Sequence, residues 1–471
     1  MQKVAKAVLA VAGRVLFIGF SIQIILGICW MLCNFTGFQQ FGESFLYEEI
    51  SKTLICDEYE GILYPVLILM TKGMEELILV PYRFILYLLQ IGFAFWVSYQ
   101  LLDSFRVQEK SRRVWGALAM LTFPMAMQCH LAVLPDSFVS SLLLLELAVV
   151  SGILINGRRV SPGSFVKALV CWVLAVMMRP EYWYIGILPL MLLPLYGLGK
   201  ARKDDRKRMW YPLTLLALVV VLGGLLLVVQ DFTQEEGCYD RVAKSRNAAM
   251  VSRLAWPYAG ADYEFWPEEV KAQFTLNEAR QIDYYADYMD RILGRTLEEA
   301  LGKERAEELF GEIAGIAWQY HKSEILYRTV WDAVGYTVSP LVLQRQFNGK
   351  IYDSYSGRNY DIMRRDTPYL TKYYMDYSCM WFGAGLVLTA VLQGVRLAAG
   401  LTEKGERKRK VQNLGRWLLT TACCVLPSGV LILVYTLRGA GMMDYKKSIA
   451  VTLLWICWML SSCLRGMREQ K

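Results

Sequence analysis

Long apolar runs separated by short polar segments dominate the chain. The first run covers residues 8–33, and nine others follow it. They lie at 84–104, 114–132, 137–155, 165–178, 184–199, 211–230, 377–398, 415–437 and 448–464. Most are close to the roughly 20 residues that a helix needs to cross a bilayer, and none alternates as the strands of a membrane barrel do. The pattern therefore predicts an all-α, polytopic membrane protein with about ten transmembrane helices.

Two segments depart from this pattern. Residues 61–83 are apolar but are interrupted by prolines and charged side chains, which is typical of helices that lie along a membrane interface. Residues 231–376 are polar, rich in tyrosine and patterned for helices. We therefore predict a seven-span module at 1–230, a mostly helical extracytoplasmic insertion at 231–376 and three further spans at 377–471.

The composition agrees with a membrane protein. Of the 471 residues, 55% are hydrophobic, and the mean hydropathy of +0.29 is too high for a soluble chain of this length. The net charge of +8 is concentrated in short loops between the apolar runs, where lysine and arginine usually mark the cytoplasmic side. Alternate loops are basic, which predicts cytoplasmic termini, although Arg438, Lys446 and Lys447 fall on the external side of this scheme. The same distribution argues against a nucleic-acid partner.

Acidic side chains collect on the predicted external face. Asp57 and Glu58 follow the first span, and two adjacent carboxylates repel each other, which favours proton uptake by one of them and suits a general base. A solvated acidic loop is an equally good interpretation. Asp136 opens the fourth span, where an aspartate ordinarily caps or complements the helix N-terminus, and the same residue can also take part in chemistry. Glu146 lies in the middle of that span, where a carboxylate is usually functional or paired, and the sequence assigns it no partner.

Three cations on the same face are candidates for binding phosphate. Arg179, in the turn between the fifth and sixth spans, runs against the usual charge bias, and guanidinium groups bind phosphate bidentately. Lys72 lies in the interfacial segment, where contact with lipid headgroups is the simpler explanation. Arg253 precedes Trp256 and Tyr258, which suit contact with a phosphate or a sugar, although core packing is the commoner role of such a tryptophan.

Other features limit the chemistry. The chain has two histidines, which excludes a multi-histidine metal cluster. Cys56 and Cys238 both fall in predicted external segments and are candidates for a disulfide, but the sequence does not supply the distance that one requires. There is no glycine-rich phosphate loop and no large cytoplasmic segment to bind a nucleotide sugar. Any activated sugar must therefore reach the protein by another route.

These features, in this order, resemble the GT-C superfamily of integral-membrane glycosyltransferases, which includes protein O-mannosyltransferases and lipid A aminoarabinose transferases. The resemblance rests on the acidic motif Asp57-Glu58, on interfacial helices that carry Lys72, on Asp136 before the fourth span and on the turn that begins at Arg179. It covers about the first 230 residues. The large external segment departs from the family pattern, which leaves the acceptor open.

The resemblance implies an enzyme, a hexosyltransferase whose donor is a polyprenyl-phosphate sugar. The sugar would pass by direct displacement, with inversion at the anomeric carbon, to a hydroxyl of a glycan, lipid or protein acceptor. In that scheme Asp57 removes the proton of the acceptor hydroxyl, while Glu58 and Asp136 orient the acceptor, or a divalent metal if one is used; no cofactor is required. The implied cations that stabilise the departing lipid phosphate are Lys72, Arg179 and Arg253.

The expected setting is a bacterial plasma membrane, but other classes of function stay open. One is a transporter or flippase of lipid-linked glycans, and another is a polysaccharide polymerase. Transporters usually place polar residues near the middle of the bilayer. Here the acidic residues cluster at one face, and Glu146 is the clear charge in the middle of a span, so the pattern favours an enzyme. A polymerase would build long chains. A non-catalytic scaffold predicts instead that Asp57, Asp136 and Arg179 tolerate alanine.

Overall fold

The computed structural model describes most of the chain, and most of what it describes is helical. The described residues are 2–34, 42–54, 61–158, 160–200, 214–215, 217–218, 221–225, 254–282, 293–337, 351–353, 358–360, 368–402, 407–438 and 449–466.

Most of the described residues among the first 200 lie in helices. In chain order they are α1 (Gln2–Asn34), α2 (Gly42–Thr53), α3 (Leu63–Ile78), α4 (Tyr82–Ser104), α5 (Lys110–Leu121), α6 (Pro124–His130), α7 (Asp136–Asn156), α8 (Pro162–Met178) and α9 (Trp183–Lys200). A single turn of 3₁₀ helix at Pro180–Tyr182 joins α8 to α9.

The rest of the described chain continues this architecture. Its helices are α10 (Ala259–Asp262), α11 (Glu268–Lys271), α12 (Leu276–Ile282), α13 (Arg295–Leu301), α14 (Lys303–Thr337), α15 (Pro368–Thr402), α16 (Arg407–Arg438) and α17 (Ile449–Gly466). Two 3₁₀ turns, Trp256–Tyr258 and Tyr263–Phe265, flank α10. Among the described residues, the departure from an all-α structure is a small antiparallel ladder of β1 (Ile351–Asp353) and β2 (Arg358–Tyr360), in which Ile351 lies opposite Tyr360.

Four helices are long and apolar enough to cross a membrane, judged by length and composition. They are Val11–Cys33, Tyr82–Ser104, Asp136–Asn156 and Tyr369–Val395, and each overlaps a predicted span. Shorter apolar helices lie at four other predicted spans, namely Pro162–Met178, Ile185–Gly197, Leu418–Leu433 and Ile449–Leu464. The coarse prediction of a helical membrane protein is therefore supported, whereas the count of ten spans stays a prediction.

The predicted span at 114–132 is wrong as one continuous helix. α5 ends at Leu121, and α6 begins at Pro124. Proline lacks the N–H that a helix interior needs and pushes the residue before it out of the helical region. Phe123 accordingly has extended backbone angles, φ −71° and ψ 134°. The break divides the apolar run into two short helices, of which α6 is completely buried.

Neighbouring helices satisfy the backbone at this break. The side-chain amide of Gln23, in α1, donates to the carbonyl oxygen of Thr122 at 2.7 Å and to its hydroxyl at 3.0 Å. The hydroxyl of Tyr374, in α15, donates to the same carbonyl oxygen. Non-helical backbone at membrane depth is tolerated only where protein groups supply its hydrogen bonds. The hydrogen bonds from these two side chains therefore stabilise the interruption between α5 and α6 inside the helix bundle.

The apolar helices pack against one another in two groups. α7 lies between α4 and α8, and α8 packs against α9. α1 packs against α15 and α17. A second apolar core, centred on Trp266 and Phe310, lies within residues 255–317, and α14 continues from it to contact α16.

α3 and the first turn of α4 occupy the segment predicted to form interfacial helices at 61–83. α3 ends at Ile78, the next residue, Leu79, has a left-handed backbone with φ 55°, and α4 starts after Pro81. Apolar side chains at this end of α3 are strongly exposed, 82% for Leu77 and 88% for Leu79. Exposed apolar groups at a helix end suit a membrane interface, so this placement of α3 remains our prediction.

Candidate functional site

Asp136 and Arg179 form a buried ion pair. Their side chains are 2% and 6% exposed, and Nη2 of Arg179 lies 3.0 Å from Oδ2 of Asp136. Asp136 is the first residue of α7, and Arg179 directly follows the last residue of α8. The structure thus brings together two predicted site residues that are 43 positions apart.

Local sequence explains why Arg179 leaves the helix at this point. Pro180 follows it, and the residue before a proline is driven toward extended backbone angles. Arg179 has φ −142° and ψ 100°, while its own N–H still donates to the carbonyl of Ala175 at 2.9 Å. The guanidinium therefore departs from the end of α8 and reaches the start of α7.

Gly61 follows the acidic segment of the predicted first external loop and contacts this end of α8. Its N–H donates to the carbonyl oxygen of Met178 at 3.2 Å, next to Arg179. A Cβ at Gly61 would overlap the carbonyl oxygen of Met177 and lie 2.7 Å from the carbonyl carbon of Met178. Only glycine lets the two backbones approach this closely.

Replacing Gly61 by alanine is expected to lower the free energy of unfolding by about 1–3 kcal/mol, because the added methyl group forces the α8 backbone to move. Gly73→Ala is the matched control. Gly73 lies in α3 with no atom within 4 Å of its Cβ position, so alanine should raise the stability by about 0.5–1 kcal/mol. Chemical unfolding of the purified chain in detergent measures both. Equal stabilities of the two variants would contradict the close packing of Gly61 on α8.

Two tyrosines lie beside the ion pair. The guanidinium carbon of Arg179 is 5.9 Å from the ring centre of Tyr47, in α2, and the ring of Tyr64, in α3, meets that of Tyr47 edge-on at 5.2 Å. Burial raises the pKa of the Tyr64 phenol well above 10, and the negative charge of Asp136 acts in the same direction. Tyr64 therefore stays protonated and donates to Oε1 of Gln90 at 3.1 Å.

Gln90 fixes the segment that leads into Asp136. Its side-chain amide donates to the carbonyl oxygens of His130 at 2.8 Å, Ala132 at 3.0 Å and Cys129 at 3.4 Å. These carbonyls lie at the end of α6 and in the turn before α7. A single fully buried side chain in α4 thus orders the approach to the ion pair.

Lys72 lies near this end of the molecule but is engaged elsewhere. Its ammonium group donates to the hydroxyl of Ser51 at 2.9 Å and lies 5.5 Å from the ring centre of Tyr82. Ser51 and Tyr47 are four residues apart on α2, so Lys72 and Arg179 contact successive turns of one helix. The structure therefore brings Lys72 to the neighbourhood of Arg179 without a direct contact between the two being shown.

The remaining predicted site residues lie outside the described part of the chain. These are Asp57, Glu58 and Arg253, and the same holds for Cys56 and Cys238. Within the described residues there is no group of three or more histidine, cysteine, aspartate or glutamate side chains that could hold a metal ion.

Glu146 is fully buried in the middle of α7. Among the described residues neither of its carboxylate oxygens has a hydrogen-bond partner. A Cβ added to Gly186, in α9, would lie 3.1 Å from Oε2 of Glu146 and would also overlap the ring of Trp172. Gly186 therefore leaves the space in which this carboxyl group sits between α7, α8 and α9.

The sequence interpretation did not identify Tyr47 and Gln90 as parts of the site. A polar signal was present for Gln90, a glutamine inside an otherwise apolar run, and such residues usually hydrogen-bond to neighbouring elements in membranes. Nothing in the sequence distinguished Tyr47 from the other 27 tyrosines of the chain, which has 28 in all.

Comparison of the chain with protein-family models, with curated proteins and with solved structures finds no match.

Proposed function

We propose that this protein is an integral-membrane glycosyltransferase of the GT-C type, which moves a hexose from a polyprenyl-phosphate donor to an acceptor hydroxyl on the extracytoplasmic face. The observation that carries the proposal is the buried ion pair of Asp136 and Arg179, placed where Gly61 joins the end of α8. A cation held rigidly in a poorly solvated site is well suited to stabilise charge on a departing phosphate.

The proposed base lies close along the chain to Gly61, which contacts the end of α8. Asp57 precedes Gly61 by four residues, and a chain extends by at most about 3.6 Å per residue, so covalent geometry keeps the two Cα atoms within about 14 Å. Gly61 itself is fixed to Met178, the neighbour of Arg179. We therefore propose that Asp57 and Glu58 act beside the ion pair.

The proposed reaction is a single displacement. The acceptor oxygen attacks the anomeric carbon while Asp57 takes the hydroxyl proton, and the bond between the anomeric carbon and the phosphate oxygen breaks. Its electron pair passes to the lipid phosphate, whose growing charge Arg179 stabilises, with Lys72 and Arg253 as further cations. Asp136 holds the Arg179 guanidinium in place. The products are a glycosylated acceptor and a polyprenyl phosphate.

A transporter or flippase of lipid-linked glycans is the second candidate, and Glu146 favours it. A fully buried carboxyl group in the middle of a span is a feature of substrate or ion pathways through membranes. A transporter would move the lipid-linked sugar without breaking its phosphate bond, so release of polyprenyl phosphate distinguishes the two functions.

Asp57→Asn is the experiment that tests the enzyme. Membranes that carry the full chain receive polyprenyl-phosphate glucose, mannose or galactose, and the release of polyprenyl phosphate is measured. Loss of the base should slow release by about 10²- to 10⁴-fold for the donor that the wild type consumes.

Glu60→Gln is the control, because Glu60 is a neighbouring carboxylate to which the proposal gives no role. Its release rate should stay near that of the wild type. A near wild-type rate for Asp57→Asn would sink Asp57 as the base. Passage of all three donors across the membrane without release of polyprenyl phosphate would favour the transporter.

A further inference from the structure

A large cleft opens at the end of the helix bundle opposite to the ion pair. It has a volume of about 1040 Å³ and is bounded by α4, α7 and α8, together with the turns that follow α4 and α7. α7 contributes to its lining, and this helix rises by about 30 Å between Asp136 and Asn156. The cleft and the candidate active site therefore lie at opposite ends of the same helix.

The lining of the cleft changes from apolar to polar along its length. Its inner part is formed by Trp96, Leu145, Val149, Val170 and Cys171. Its outer part is formed by Gln100, Asp103, Arg106, Asn156, Arg158, Ser161, Ser164 and Lys167. Along α7 the lining extends from Leu145 to Asn156, a rise of about 16 Å, which is close to half of the roughly 30 Å hydrocarbon thickness of a bilayer. The length of the cleft along α7 thus matches the depth of one membrane leaflet.

The outer part of the cleft is cationic. Arg106, Arg158 and Lys167 line it with a single carboxylate, Asp103, which forms an ion pair with Arg113. Arg158 and Lys167 are exposed, and neither forms an ion pair with any residue that the structure describes. Two cationic side chains are therefore available to an anion that enters the mouth of the cleft.

Arg106 gives this mouth a fixed shape. Its Nε donates to Oδ1 of Asn156 at 2.8 Å, and its Nη2 donates to the carbonyl oxygen of Ile155 at 3.0 Å. These bonds tie the end of α4 to the end of α7. Arg106 has φ 63°, a left-handed backbone that arginine rarely adopts, so the surrounding contacts hold it there. The hydrogen bonds of Arg106 therefore define the shape of the mouth.

We propose that this cleft binds one anionic glycerophospholipid of the adjacent leaflet. The phosphate of the headgroup lies against Arg158, Lys167 and Arg106, and an acyl chain extends inward along Val149 and Trp96. The apolar depth matches a lipid chain, and the cations match a phosphate that carries no compensating positive charge. A zwitterionic headgroup carries its own positive charge beside the phosphate, so its attraction to these cationic side chains is weaker.

The test compares two lipids with identical acyl chains, phosphatidylglycerol and phosphatidylcholine, by native mass spectrometry of the purified full chain. The wild type should retain phosphatidylglycerol in preference to phosphatidylcholine. The double variant Arg158→Gln/Lys167→Gln should bind phosphatidylglycerol about tenfold more weakly, with binding of phosphatidylcholine unchanged. Both side chains are exposed, so the variant should fold normally.

Lys110→Gln is the matched control. Lys110 is an exposed lysine at the start of α5, outside the lining of the cleft, and its loss should leave both lipids unaffected. Equal retention of the two lipids by the wild type, or equal losses in Lys110→Gln and in the double variant, would overturn the proposal. An excess of inorganic phosphate should not displace phosphatidylglycerol. If it does, the site takes a free phosphate, and the assignment to a lipid fails.

Discussion

Replacing Arg179 by methionine should destabilise the protein by about 3–5 kcal/mol and abolish transfer. Asp136 is 2% exposed, and the guanidinium of Arg179 contacts its carboxylate at 3.0 Å. Removing one member of a buried ion pair withdraws the charge that offsets the desolvation of the other. Chemical unfolding in detergent measures the loss of stability, and release of polyprenyl phosphate measures the loss of activity.

A double variant separates the structural contribution of the pair from its chemical one. Replacing both partners by apolar residues of similar size, Asp136→Leu/Arg179→Met, removes both charges together and is often close to neutral for stability. We expect this protein to unfold within about 1 kcal/mol of the wild type and yet to show no transfer. A double variant that is stable and fully active would make the pair purely structural and would remove the main support for the proposed function.

The membrane helices could be predicted to the extent that each is a local apolar run. Val11–Cys33 and Asp136–Asn156 illustrate this, because their length and composition alone indicate a helix that can cross a bilayer. The run at 114–132 is also long and apolar, but it forms two short helices instead of one. Its break at Pro124 has a local signal, but the break persists inside the bundle because Gln23 and Tyr374 supply hydrogen bonds from distant parts of the chain.

The site could be predicted only as a set of residues on one face. Alternating loop charge placed Asp136 and Arg179 at the same end of the bundle, and the structure places them together there. Their contact depends on how α7 and α8 pack, which no local pattern encodes. The position of Gly61 against Met178 is a backbone contact, and backbone groups carry no sequence signature.

Replacing Gln90 by leucine is the second change for which we expect a large loss. The amide of Gln90 donates to the carbonyl oxygens of His130 and Ala132 and, at 3.4 Å, of Cys129, all of them in a buried part of the structure. A buried carbonyl that loses its hydrogen bond costs about 1–3 kcal/mol, and leucine offers no donor, so we expect a total loss of about 3–5 kcal/mol. Leucine also removes the acceptor of the Tyr64 hydroxyl.

Gln100→Leu provides the matched control, since it is the same substitution on the same helix at a half-buried position. Its effect on stability should stay below about 0.5 kcal/mol. Chemical unfolding in detergent measures both variants. Because the carbonyls that Gln90 binds lead directly into Asp136, transfer should fall more in Gln90→Leu than in Gln100→Leu under conditions where both are folded. Equal stability and equal transfer in the two variants would show that the turn before α7 holds its shape without Gln90.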